Sequence, residues 1–293
     1  MNGKLISRAD ASGKIVHPGL NDARERDGAE YFDGDMSDPE LFNEVLGEER
    51  IERLTMSGIP SPIAPPEVEL AGDATFDYLF WQEGGYVLHE STRTISLKVA
   101  GIGKPLEITG PWQVNFPPAL GAPPEVTLPQ LISLHQHSEP GVKYFSGTAT
   151  YSKQINIPAG ATAGDRRLYL DLGWVQVMAQ VRVNGQDLGS LWKPPFRVDI
   201  TPAVQPGENN LEVLVTNPWV NRLIGDEQLP PENEYKPNGV IKALPDWYLE
   251  GKPKPPGGRI TFATWKHYEK DSPLLASGLV GPVLLRWAVR RRT

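Results

Sequence analysis

The sequence contains no cysteine among its 293 residues. Disulfide bonds, thiolate metal sites and cysteine nucleophiles are therefore excluded. The sequence also lacks an apolar run close to the roughly 18 residues of a membrane-spanning helix, so no membrane partner is expected. No apolar stretch follows Met1–Lys4, so we see no signal peptide. We expect a soluble chain whose compartment stays open.

Cation-rich and nucleotide-binding patterns are also missing. The formal net charge of -7 argues against a nucleic-acid partner, and Arg290–Arg292 is interpreted as the solvated end of the last strand. Gly101–Gly103 lacks the strand-turn-helix context of a nucleotide fingerprint, and there is no Gly-x-Ser-x-Gly elbow. His135 and His137 lack an evident third ligand, so no metal site is predicted there.

Turn residues and short alternating segments dominate the sequence. Glycine and proline number 29 each, together about a fifth of the chain, which is typical of many turns between short strands. Strands with one apolar face need a second sheet to cover that face, so the pattern predicts a mainly β protein with an antiparallel β-sandwich. The apolar faces are Leu168/Leu170/Leu172, Val177/Ala179/Val181/Val183 and Leu211/Val213/Val215. Asn184-Gly185 predicts a type I′ hairpin, and residues 283–289 predict a late strand that pairs back.

The chain divides into three predicted regions. Residues 1–73 form an N-terminal extension with one helix or two short ones over about 37–58 and a proline-rich linker. Residues 74–105 form a small antiparallel β unit. Residues 106–293 form the sandwich, in which 127–134 is predicted to be a short helix. The segment 218–280, which we call the insertion, is long and lacks periodicity, so it is expected to be functional or to dock on a neighbour.

A resemblance to a known family rests on several of these segments. The segment Tyr144–Asn217 is similar to the sugar-binding jelly roll of glycoside hydrolase family 2, a galactose-binding-like fold. The motifs are Val183–Gly185, Leu188-Gly189, Pro195-Phe196, Asp199–Thr201 and Gly207–Leu211. Three further segments resemble the C-terminal region of glycoside hydrolase family 106, the α-L-rhamnosidase-like proteins; these are Leu106–Trp112, Tyr144–Ala149 and Asn221–Asp226. The resemblance covers about residues 74–289.

The resemblance implies a carbohydrate association but no catalytic residue. Members of the family are several times longer and carry their catalytic carboxylates on an upstream barrel domain that this chain lacks. The resemblance implies rhamnose-containing glycans for a parent enzyme, which belongs to a family of secreted or periplasmic proteins. A catalytic glycosidase domain or subunit is therefore an expected partner.

Aromatic residues at strand ends are the candidate sugar-stacking residues. A sugar ring has an apolar face and a rim of hydroxyl groups, which proteins bind with an aromatic plate and nearby polar side chains. Trp174, Trp192 and Trp219 lie where the loops of a sandwich gather, although core or interdomain packing is the alternative for each. Trp112 and Trp287 lie within strand patterns and are assigned to the core.

The densest polar cluster follows Trp219. Asn221, Arg222, Asp226 and Glu227 are candidates for a ligand rim or for a wall that reaches a catalytic site. The structural alternative is a loop in which Arg222 pairs with Asp226. Glycosidases need two carboxylates about 5–10 Å apart; Asp226 and Glu227 would point to opposite faces of a strand, and nothing distinguishes Glu232 or Glu234.

Three hypotheses follow. The first is a non-catalytic carbohydrate-binding or accessory β-sandwich of a rhamnosidase-like hydrolase acting on plant or microbial polysaccharide. The second is a portion of an α-L-rhamnosidase-type enzyme, and the third is a structural interdomain module without a ligand. No cofactor is expected, and a structural calcium ion in a jelly roll rich in Asp and Asn is left open.

Overall fold

A computed structural model of the protein describes residues 64–71, 77–89 and 93–292. The predicted helix over 37–58 and most of the predicted N-terminal extension lie outside these ranges. Within them, three short α-helices and sixteen strands are present, the strands belonging mainly to two large sheets. No helix of the described ranges is long and apolar enough to cross a bilayer.

The elements follow one another in a simple order along the chain. The strands are β1 (Val68–Leu70), β2 (Asp77–Phe80), β3 (Gly84–His89), β4 (Thr94–Val99), β5 (Leu106–Glu107), β6 (Trp112–Asn115), β7 (Glu125–Leu128), β8 (Gly147–Ile157), β9 (Arg166–Asp171), β10 (Trp174–Gln176), β11 (Met178–Val183), β12 (Gln186–Leu191), β13 (Arg197–Asp199), β14 (Gly207–Asn217), β15 (Gly278–Gly281) and β16 (Leu284–Arg292). The helices are α1 (Pro140–Lys143), α2 (Val220–Asp226) and α3 (Asp246–Leu249), and Leu134–Gln136 forms a 3₁₀ turn.

Two antiparallel sheets form the body of the fold. Sheet A has the order β1-β2-β16-β9-β13, with β5 also paired to β16. Sheet B has the order β12-β11-β14-β8-β6-β7. Its centre is the pair β8–β14, in which eleven residues of each strand are in register, with Val213 opposite Tyr151. The neighbours in both sheets are antiparallel, as the sequence predicts.

The main hydrophobic core joins the inner faces of the two sheets. Sheet A contributes Leu168, Leu170 and Leu285, and sheet B contributes Tyr151 and Val213, all at most 1% exposed. Along β14, buried residues alternate with partly or fully exposed ones, because adjacent side chains of a strand point to opposite faces. The predicted β-sandwich is confirmed, and with it the core assignment of Trp112, which is fully buried. Trp287 is half-buried against the same core.

Two local predictions are also confirmed. Asn184 and Gly185 both have positive φ, 52° and 80°, and they join β11 to β12 with Val183 opposite Gln186. Both central residues of a type I′ turn need positive φ, which suits Asn and Gly. The late strand returns as β16, which lies between β9 and β2 in sheet A.

The predicted helix over 127–134 is wrong. Residues 125–128 form β7, whose Leu128 pairs with Trp112 of β6 and is 1% exposed. The leucines of this segment recur at a spacing that suits a helix. Pairing with the edge of β6 outweighs that weak local preference. Pro129, which cannot donate to a sheet ladder, follows the strand, and the one helical turn begins later, at Leu134.

The region before residue 106 contributes to two different sheets. Strand β2 pairs with β16 in sheet A, whereas β3 and β4 pair only with each other as a hairpin. Ile95, Leu97 and Val99 share the more buried face of β4, as their alternation indicates. The domain boundaries at 73/74 and 105/106 stay predictions.

Candidate functional site

The insertion is fastened to the sandwich by buried asparagine side chains. Asn217 ends β14 and accepts a hydrogen bond from the amide of Gly278, 2.6 Å away, at the start of β15. One turn later, the side chain of Asn221 donates to the carbonyl of Leu275 at 2.8 Å and accepts from its amide at 2.9 Å. These bonds close a loop of more than fifty residues, so they set where the insertion leaves and re-enters the fold.

Helix α2 carries the polar cluster into the interior. Arg222 and Asp226 lie one turn apart on the same helix face, with 3.1 Å between Nη2 and Oδ1. Their side chains are only 6% and 2% exposed. Asp226 Oδ2 also accepts from the amide and the hydroxyl of Thr261, each at 2.7 Å. Gly225 permits this packing, since a Cβ there would lie 2.5 Å from Tyr144.

The pair is buried with some of its hydrogen-bonding capacity unused. Arg222 Nε and Asp226 Oδ1 have no aligned hydrogen-bond partner, although the ion pair itself is close. The amide of Arg222 donates to the hydroxyl of Ser146 at 3.2 Å. Removing one member of a buried ion pair leaves the other charge uncompensated. The contacts of these two residues that join α2 to its surroundings are the bonds from Thr261 to Asp226 and from the Arg222 amide to Ser146.

Glu227 follows the helix and pairs with Arg259, which lies 32 residues further along the insertion. Arg259 binds both carboxylate oxygens of Glu227, at 2.5 and 3.1 Å. It also donates to the carbonyls of Leu229 and Pro230, and its amide donates to Glu232. A bidentate pair of this kind fixes geometry as well as charge. The strand assumed for Asp226 and Glu227 is wrong, because Asp226 ends a helix and Glu227 caps it.

The Glu227–Arg259 pair lies in a cleft within the insertion. The cleft is also lined by Tyr235, Ala263, Trp265, Lys266, His267 and Tyr268. It continues into an open groove between residues 235–239 and Trp265, Lys266 and Glu269, with a volume of about 450 Å³. We call the two parts together the insertion cleft. Its lining combines aromatic rings with charged and hydrogen-bonding groups.

The three predicted tryptophans lie outside the insertion cleft in different environments. Trp192 follows β12 and is 68% exposed, with Lys193 Nζ 5.4 Å from its ring centroid. Trp219 precedes α2 and is 51% exposed. Trp174 in β10 is half-buried and packs edge-on against Phe196 at 6.2 Å. Two of the three therefore present a ring to solvent.

The structure thus divides the predicted site residues. Asp226 and Glu227 line the insertion cleft, but Asp226 is only 1% exposed. Asn221 and Arg222 are buried and do not line the cleft. Sequence analysis missed the contributions of Tyr235, Arg259 and Trp265. The only signal for them was the density of aromatic residues in an aperiodic segment, which does not reveal which residues meet.

The two histidines flanking Gln136 have local partners. His135 Nδ1 lies 2.7 Å from the hydroxyl of Ser133, and burial lowers the pKa of this imidazole. His137 Nδ1 accepts from the amide of Glu139 at 3.1 Å. In the part of the chain that the structure describes, no group of three His, Asp or Glu side chains has the arrangement of a metal site.

Part of the sandwich matches a known family of domains. Residues 135–247 match the family described as glycosyl hydrolase 2 galactose-binding domain-like. The match begins at the 3₁₀ turn, includes strands β8 to β14 and extends through α2 to α3 in the insertion. The chain therefore contains a glycoside hydrolase-related, galactose-binding-like β domain.

Individual relatives are much longer than this chain. A protein of Formosa agariphila named "Putative beta-glucuronidase" is 44% identical over 201 residues, which are 69% of this chain and 17% of that protein. The structure of a rhamnosidase from Novosphingobium sp. PP1Y matches with 31% identity and a TM-score of 0.52, over 72% of this chain and 21% of that one. The chain spans about a fifth of the length of both relatives.

Proposed function

We propose that the chain is a non-catalytic, carbohydrate-binding accessory β-sandwich of a glycoside hydrolase that acts on plant or microbial polysaccharide. The observation that carries the proposal is the galactose-binding-like domain at 135–247, in a chain that spans about a fifth of its hydrolase-named relatives. The expected partner is the catalytic part of such an enzyme, supplied by the same polypeptide or by another subunit.

The carboxylates of the insertion support a non-catalytic role. Each of the four candidates is held in an ion pair, Asp226 with Arg222, Glu227 with Arg259, Glu232 with Lys254 and Glu234 with Lys242. A glycosidase acid needs a raised pKa so that it is protonated when the leaving group departs. The hydrogen bond from Lys242 instead lowers the pKa of Glu234.

Exposed aromatic rings support sugar binding. Trp192 and Trp219 present large apolar faces at the ends of strands or beside them, and Glu227 and Asp226 lie in a cleft that offers hydrogen-bonding groups. The proposed site also includes Trp174, whose half-buried ring packs against Phe196. It includes Asn221 and Arg222, which hold α2 and Asp226 in place. A glycan contact by a ring of this kind is worth about tenfold in affinity.

The second candidate function is a portion of an α-L-rhamnosidase-type hydrolase. It is favoured by the 31% identity to the Novosphingobium rhamnosidase and by the family 106 motifs in the sequence. The greater identity to the Formosa protein, which is named for glucuronidase activity, leaves the sugar undecided between rhamnose and glucuronate. Both names agree on a glycoside hydrolase as the parent.

One experiment separates these functions. The purified chain is run in native gels cast with rhamnogalacturonan I or glucuronoxylan, and it is also incubated with p-nitrophenyl α-L-rhamnoside and p-nitrophenyl β-D-glucuronide. We expect retardation in at least one gel and no release of p-nitrophenol. Release of p-nitrophenol from the α-L-rhamnoside would replace the first function by the second, and release from the β-D-glucuronide would refute both. If the chain shows no retardation and no turnover, the third hypothesis survives, in which the chain is a structural module without a ligand.

A further inference from the structure

Trp265 is an exposed tryptophan whose ring is nevertheless held in place. It is 47% exposed, and its backbone forms a β-bridge with Val240. The amides on either side of this bridge are bonded as well, Ile241 to the carbonyl of Thr264 and Lys266 to the carbonyl of Gly239, both at 2.9 Å. The segment that carries the indole is therefore fixed, although nothing covers the ring completely.

The indole rests on the backbone of Gly239. This glycine has a φ of +81°, and a Cβ there would lie 2.9 Å from the indole Nε1. The side chain of any other residue at 239 would displace the ring, and it would also be strained at that φ. One side of the indole is thus supported by main chain, while the ring borders the open groove.

The remainder of the groove supplies polar groups at its edges. Lys266 is oriented by Glu269, with Nζ 2.5 Å from Oε2. The hydroxyl of Tyr235 donates to the carbonyl of Ala263 at 3.0 Å and keeps lone pairs for accepting. Burial raises the pKa of Tyr235, so this hydroxyl stays protonated at neutral pH. An aromatic plate in the same groove as hydrogen-bond donors and acceptors suits the apolar face and the hydroxyl rim of a pyranose.

We propose that the insertion cleft is a glycan-binding subsite in which one pyranose unit stacks on Trp265 and hydrogen-bonds to Tyr235, Lys266 and Glu269. The inference rests on the proposed carbohydrate-binding function and adds a contact residue to it. The groove is open and its volume of about 450 Å³ lies within the range of about 300–1,000 Å³ typical of ligand pockets. Because the groove is open, it can hold an internal unit of a polysaccharide, and the ligand does not have to be a single free sugar.

Gel retardation of variants of the full chain tests this subsite. Trp265→Ala removes the plate. Tyr248→Ala is the matched control because Tyr248, on α3, is 50% exposed and is not among the residues that line the cleft. The probes are rhamnogalacturonan I and glucuronoxylan. We expect Trp265→Ala to weaken binding about tenfold and Tyr248→Ala to leave it unchanged. Far-UV circular dichroism checks that both variants are folded.

Hydroxyl-radical footprinting of the unmodified chain gives a second readout that does not depend on a variant. The bound polysaccharide should reduce the oxidation of Trp265 and leave that of Tyr248 unchanged. If the chain binds a polysaccharide while Trp265→Ala binds equally well and Trp265 is not protected, the subsite is refuted and the proposed function stands. If neither polysaccharide retards the unmodified chain, the proposed function fails and this subsite fails with it.

Discussion

The attachment of the insertion to the sandwich can be broken at a single side chain. Replacing Asn221 by Ala removes both hydrogen bonds to the backbone of Leu275. Each such bond contributes about 0.5–1.5 kcal/mol, and a buried group that loses its partner costs about 1–3 kcal/mol. Since Asn221 is 2% exposed, we expect a loss of roughly 1–3 kcal/mol. The loss should appear first as local opening of residues 261–278, because these bonds anchor that end of the insertion.

Native-state hydrogen exchange measures this opening directly. If the free energy of local opening falls by 1–3 kcal/mol, the backbone amides exchange about 5- to 150-fold faster. We expect this acceleration at Leu275 and Thr261 in Asn221→Ala, with much smaller changes in β8 and β14. Asn156→Ala is the control, because Asn156 is an exposed asparagine of β8. Unchanged exchange in the insertion, or equal acceleration throughout the sandwich, would refute the anchoring role of Asn221.

Three further changes test the fold. Asp77 is 1% exposed and binds Arg290 and Arg292. The two arginines lower the pKa of Asp77 from 3.8 to about 2. The ion pairs therefore stabilise the fold above pH 4, and this stability is lost as the pH falls toward 2. Both arginines are partly exposed, so we expect Asp77→Asn to lose only about 1–2 kcal/mol at pH 7, and urea titrations should show the difference from the unmodified chain shrinking between pH 4 and pH 2. Leu211→Ala removes a fully buried side chain from β14 and should lower the free energy of unfolding by about 2–5 kcal/mol, a result that a loosely packed core would not give. Gly185→Ala meets no neighbouring atom but requires a φ of +80°, so a loss of about 1 kcal/mol in thermal or urea unfolding is expected from backbone strain alone, and a stabilised variant would contradict the type I′ turn.

The sandwich could be predicted because its signals are local. Alternating apolar residues in β9, β11 and β14 identify the strands and the buried face, and Asn184-Gly185 identifies the turn between β11 and β12. The return of β16 followed from the need to complete a sheet. The strand β7 could not be predicted in the same way, since Leu128 is placed by its partner Trp112, which lies sixteen residues earlier.

The insertion could not be predicted, because its contacts join residues far apart and carry no period. Arg259 meets Glu227 across more than thirty residues, and Trp265 is positioned by the backbone of Gly239. The sequence shows tryptophans near the ends of predicted strands, but it does not show that Gly239 positions the ring of Trp265. The buried positions of Asn221 and Arg222 likewise depend on Leu275 and Ser146.

The central claim is that this β domain binds a polysaccharide without hydrolysing it. Isothermal titration of the full chain with rhamnogalacturonan I and glucuronoxylan, followed by chromatography of the same samples for released sugars, tests both halves of the claim at once. The account predicts saturable heat with at least one polysaccharide and no shortened product after prolonged incubation. No heat with either polysaccharide, or the appearance of cleaved oligosaccharides, would contradict it.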